Sequence, residues 1–210
     1  MMTLNQFREH VLTGKTVEEL YSLIEDFKIE KVFLKVGIEQ KNIADFTLPP
    51  QKTLTKINNY RLYIQETYDQ IEKMGGTSNR TADEAFALKF QENLENIDQI
   101  DYQIGGYFEG YEDYKMQFED NEVIFTRDDG SPKQVVMDKD TCLNDLRELY
   151  MGEWRELYQA DDYGQDISDG TSWSVAIYYK NGMETVGFEG NNAFPYNFGH
   201  FNNLITGGLI

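Results

Sequence analysis

The apolar residues of this 210-residue chain change period part-way along it. Spacings of three and four give way to alternation by two, so one fold must hold both helices and strands. In the first half, Thr16-Val17-Glu18-Glu19 reads as a capping box, and Val17, Leu20, Leu23, Ile24 and Phe27 share a helical stripe. Ile29 to Val36 is open between helix and short strand. Pro49-Pro50 breaks the chain. Ile57, Tyr60, Ile64, Tyr68 and Ile71 then predict a helix over 52–74, stopped by Gly75-Gly76. A second capping box, Thr81 to Glu84, opens a helix running through Ala85, Leu88, Leu94 and Ile97.

Alternation then takes over. Tyr114, Met116 and Phe118, then Val123 and Phe125, flank an Asp120-Asn121 turn and predict a hairpin. Asp128 to Pro132 reads as another turn, and 134–137 as a third strand. A helix capped by Asp140 or Thr141 is expected to carry Leu143, Leu146, Tyr150, Trp154 and Leu157 on one face. After a polar loop over 159–171, Trp173, Val175, Ile177 and Tyr179 alternate up to Asn181-Gly182, a strong hairpin signal. The return strand is placed at 183–188 and a last helix at 196–205. Hairpin, helix, hairpin, helix fits either a distant internal duplication or ordinary alternation of elements. The expected class is α+β: a helical region over 1–97, then an acidic α+β module over 98–210. That module is read as an antiparallel sheet of two hairpins with covering helices.

Charge follows the same division. Residues 1–97 hold 15 acids and 12 bases, whereas residues 98–210 hold 22 acids and 7 bases. The net charge of the second part is −15 out of −18. Such a surface repels nucleic acid and anionic membrane and attracts basic proteins. Direct nucleic-acid binding is disfavoured for the same reason. The amino terminus lacks a signal-peptide pattern, and no run of about 18 apolar residues offers a membrane span. One cysteine, Cys142, excludes an internal disulfide and fits a reducing compartment. The expectation is a cytoplasmic, soluble protein.

Catalytic motifs are absent from the chain. Cys142 reads as a small core residue. Two histidines and one cysteine do not make a zinc site. Gly105 to Gly110 is glycine-rich but leads into acidic residues and a strand, which opposes phosphate binding. Asp161, Asp162, Asp166 and Asp169 crowd one loop and are weak candidates for a divalent cation. Their spacing is not that of an EF-hand, and a solvated acidic loop is the plainer reading. No metal, cofactor or enzymatic activity is expected, and the alternative is a carboxylate enzyme using a divalent metal.

The partner-binding candidates are Asp101, Tyr107, Glu109, Tyr111, Glu112, Asp113, Glu119, Asp120, Glu122, Asp128 and Asp129. Residues 98–130 contain ten acids and two bases, interleaved with tyrosines. B-DNA presents one charge per roughly 1.7 Å of axis, and its binding proteins carry matching lysines and arginines. Carboxylates on a folded surface can engage those side chains, with tyrosines adding rigid contact area. The expected partner is a basic nucleic-acid-binding protein. The plainer alternatives are a generic acidic interaction module and charge that serves only solubility.

Two resemblances bear on this. Asp169-Gly170-Thr171-Ser172-Trp173-Ser174, Tyr179-Lys180-Asn181-Gly182 and Gly190-Asn191-Asn192-Ala193-Phe194-Pro195 together are similar to a carboxy-terminal pattern in small proteins of Gram-positive bacteria and their mobile elements. That resemblance implies a hairpin, a loop and a helix, and carries over no functional residue. The overall profile resembles phage or plasmid anti-CRISPR and anti-restriction proteins, a likeness of type without a motif. It implies a non-enzymatic inhibitor whose partner is a Cas9-type nuclease or a restriction enzyme, blocked where DNA or RNA binds.

Overall fold

The structure is a computed structural model that describes residues 2–106, 108–128, 133–167, 169–180 and 182–207, with backbone alone at 133 and 134. Contacts divide the chain into two compact units, Met1–Ile38 with Pro49–Arg80, and Glu39–Leu48 with Thr81–Ile210.

The first unit is helical. Helix α1 (Leu4–Phe7) continues as a π-helical turn over Arg8–Leu12, followed by α2 (Val17–Glu39) and α3 (Gln51–Lys73). The capping box at α2 is formed. The Glu19 amide donates to Thr16 Oγ1 at 3.2 Å, and the Thr16 amide donates to Glu19 Oε2 at 2.8 Å. Helix α2 absorbs the open stretch at 29–36. At the end of α3, Gly75 takes φ +81°, where a side chain would be strained. Its amide donates to the Glu72 carbonyl and the Gly76 amide to the Ile71 carbonyl, at 3.0 and 2.9 Å. This paired closure satisfies carbonyls that a helix end leaves open. Phe7, Leu12, Leu20, Ile24, Ile64, Tyr68 and Ile71 form the core. Fully burying one such aliphatic or phenyl side chain contributes about 1.5–3 kcal/mol.

The second unit contains α4 (Ala82–Glu92), β1 (Ile97–Gly106), β2 (Gly110–Phe118), β3 (Glu122–Asp128), β4 (Lys133–Asp138), α5 (Lys139–Leu149), β5 (Leu157–Gln159), β6 (Ser172–Tyr179), β7 (Val186–Asn191) and α6 (Phe198–Thr206). The class is α+β, as expected. The sheet is larger than two hairpins: seven strands in the order β4-β3-β2-β1-β6-β7-β5. It is also mixed, because β5 runs parallel to β7 while the other neighbours are antiparallel.

Several expected boundaries move. The helix opened by Thr81 ends at Glu92, and Ile97 starts β1. A register shift between Ile97 and Gln99 puts Ile97 and Ile100 on the same covered side, which imitates helical spacing. The helix after β4 is capped by Asp138 and stops at Leu149, because Tyr150 adopts a left-handed φ of 49°. Trp154 is therefore extended, and Leu157 belongs to β5. The return strand is 186–191. Asn181 of the second turn and residues 129–132 of the 128–132 turn lie outside the described residues.

One face of the sheet is covered. Ile100, Tyr102, Tyr114, Met116, Phe125, Trp173, Val175 and Phe188 are buried there, with Leu143 and Leu146 of α5 and Phe198 and Phe201 of α6. Trp154 sits edge-on to Phe188 and Phe201, with ring centroids 5.4 and 5.5 Å apart. Asn197 satisfies two buried polar groups of this core. The Trp154 indole N–H donates to Asn197 Oδ1 at 2.9 Å, and Asn197 Nδ2 donates to the Leu149 carbonyl at 2.6 Å. Two of the carboxy-terminal motifs, 169–174 and 190–195, meet at one corner. The Asn192 amide donates to the Thr171 carbonyl at 2.8 Å, and the Thr171 amide donates to Asn192 Oδ1 at 2.9 Å. Gly190 is required there, because a Cβ would stand 2.4 Å from Trp173 Nε1. Those motifs are thus explained by structure. No helix among the described residues is long and apolar enough to cross a membrane.

Candidate functional site

Among the described residues, the opposite face of the sheet has no such cover over β1, β2, β3 and β6. Side chains alternate along a strand, so burying Tyr102, Tyr114, Met116 and Phe125 turns their neighbours outward. The outward set is Gln99, Asp101 and Gln103 on β1, Asp113, Lys115 and Gln117 on β2, and Glu122, Thr126 and Asp128 on β3. All of these except Gln99 and Glu122 border a shallow concavity of about 560 Å³, which Ser174 and Ala176 of β6 also line.

The charge in this concavity is arranged with some internal opposition. Asp113 lies directly across from Asp128 within it, and outside it, between β3 and β4, Glu122 lies directly across from Asp138. Like charges at opposed cross-strand positions are destabilising. Asp101 lies opposite Lys115, which offsets one carboxylate. Two glutamine amides orient the acids: Gln99 Nε2 donates to Asp101 Oδ1 at 2.7 Å, and Gln103 Nε2 to Asp113 Oδ1 at 2.8 Å. Asp138 also accepts from the Thr141 amide at 2.9 Å, and this bond to the start of α5 holds its carboxyl below the usual range.

The sequence-based candidates separate into groups. Asp101, Asp113 and Asp128 share the concavity. Glu109 and Tyr111 lie exposed beside it, at the β1–β2 end. Glu112 points to the other side, accepting from Tyr114 OH and from Arg127 Nη2, both at 2.5 Å, so its charge is already engaged. Glu119, Asp120 and Glu122 gather at the β2–β3 turn, at the other end of β2 from Glu109. Tyr107 and Asp129 lie outside the described residues. The sequence reading overlooked Gln99, Gln103, Ser174 and Ala176. For Gln99 and Gln103 the signal was the alternation in β1, hidden by the register shift at its start, and for Ser174 and Ala176 it was the alternation already read in β6.

Among the described residues, no three His, Cys, Asp or Glu side chains gather closely enough to hold a metal ion. Asp162 is drawn into an ion pair with Arg155 at 3.1 Å. Asp161, Asp166 and Asp169 are exposed. Burial, with Asp145 nearby, pushes the Cys142 thiol up to about 12, so it stays protonated and unreactive at neutral pH. Burial lowers the His200 pKa, which disfavours its charged form.

The fold and this face together define an α+β protein with one open, acidic sheet surface. Comparison with protein-family models, curated proteins and solved structures yields no match.

Proposed function

We propose that the protein is a non-enzymatic binding module whose open sheet face engages a basic, nucleic-acid-handling protein in the cytoplasm and competes there with DNA or RNA. The observation that carries this reading is the carboxylate array of half-buried Asp101 and exposed Asp113 and Asp128 in a concavity, kept despite a like-charge opposition within the sheet. A surface required only for solubility has no need to oppose carboxylates across a ladder. Tyr111 is exposed beside the array and supplies amphipathic contact area. The anti-CRISPR and anti-restriction likeness suggests a Cas9-type nuclease or a restriction enzyme as the partner.

Gel filtration with such an enzyme at about 50 mM salt tests the idea. A complex should form, dissociate steeply as salt rises, and weaken on charge reversal at Glu109 and Asp113. If no basic nucleic-acid-binding protein from the native host co-elutes even at low salt, the reading is wrong.

A further inference from the structure

The sheet has two edges, and they differ. Strand β5 offers only three residues, which is one way natural sheets blunt an edge. Strand β4 offers six, and among the described residues no strand pairs with its outer side. The Lys139 amide donates to the Asn121 carbonyl at 3.1 Å, which sets the phase of the β3–β4 ladder. Hydrogen-bonded pairs alternate in an antiparallel ladder, so Val136 and Asp138 direct their backbone N–H and C=O groups away from β3.

The side chains beside this edge suit one kind of strand. Val136 is 55% exposed and stands opposite Ile124 on the open face. Glu122 and Asp138 lie at one end of this apolar strip, and Thr126 and Asp128 at the other. A strand added about 4.8 Å away would place alternate side chains over the strip. Lysine or arginine stems would cover Val136 and Ile124 while their heads reach the carboxylates.

We propose that β4 accepts an extended basic segment of the partner as an eighth strand, an inference that rests on the acidic-face reading above. Main-chain bonds would supply affinity and the acidic face would select lysine and arginine.

The test is fluorescence anisotropy with a labelled peptide of alternating Lys and Val, at about 50 mM salt. A second copy of the peptide is N-methylated on the edge that would face β4. The unmodified peptide should bind, the N-methylated one should not, and Val136→Pro should weaken binding at least about tenfold. Proline at 136 removes an outward amide and leaves the β3 ladder intact. Hydrogen exchange at the Val136 and Asp138 amides should slow when peptide binds. Equal binding of both peptides overturns strand addition even if Val136→Pro fails to fold. In that case salt-sensitive capture of a basic protein would still support the acidic face. A self-associated chain that Val136→Pro converts to monomer would also overturn it, because a second copy would then hold the edge.

Discussion

Asn197 joins three parts of the second unit with one side chain. It accepts from the Trp154 indole and donates to the last turn of α5, while its own backbone caps α6. Asn197→Ala would leave the buried indole N–H and the Leu149 carbonyl unpaired. At about 1–3 kcal/mol per orphaned group, the loss should be about 2–6 kcal/mol, read from the urea midpoint. Gly190→Ala should cost about 1–3 kcal/mol by overpacking Trp173. Glu66 sets a pH dependence. The hydrogen bond from Arg8 holds its carboxyl below the ordinary value of 4.5. Its contribution is therefore full above 4.5 and is lost as pH falls through the lowered value. Glu66→Gln should flatten that acidic limb of the melting curve, and an unchanged limb would show that the ion pair contributes nothing.

At the scale of elements, the β2–β3–β4 ladder trades stability for charge. Asp128→Lys replaces an opposed acid pair with an attractive one and should raise stability by about 0.2–1 kcal/mol. Glu122→Lys should do the same opposite Asp138. A fall in the urea midpoint for both would mean that the acids are held by the fold itself.

Elements with strong local signals were legible in the sequence. Both threonine capping boxes, the Gly75 stop and the β2–β3 hairpin follow from residues within a few positions of one another. Strand β1 was not legible, because its bulge gives Ile97 and Ile100 a helical spacing. The end of α5 was also hidden, since nothing near Tyr150 in sequence announces a left-handed turn. The metal reading of the 161–169 loop depends on which acids meet in space, and sequence spacing does not announce tertiary contacts such as Arg155 with Asp162. The acids of the candidate site were legible individually. Their division between the concavity, the β2–β3 turn and the Glu112–Arg127 pair needed the register.

For the molecule as a whole, part of the charge excess of the second half becomes a particular surface, the one carrying Asp101, Asp113 and Asp128. It lies on the sheet face left uncovered by α5 and α6, where strand alternation turns carboxylates outward. Partner binding through that face should depend on salt in proportion to the ion pairs formed. The most direct measurement is the affinity of the wild-type chain and of the Asp113→Lys/Asp128→Lys variant for a basic nuclease, over about 50–200 mM salt. The account predicts that the wild type binds with steep salt dependence and that the variant loses binding at every salt concentration, with a melting temperature no lower than wild type. Equal affinity for the two proteins, or wild-type affinity independent of salt, would contradict it.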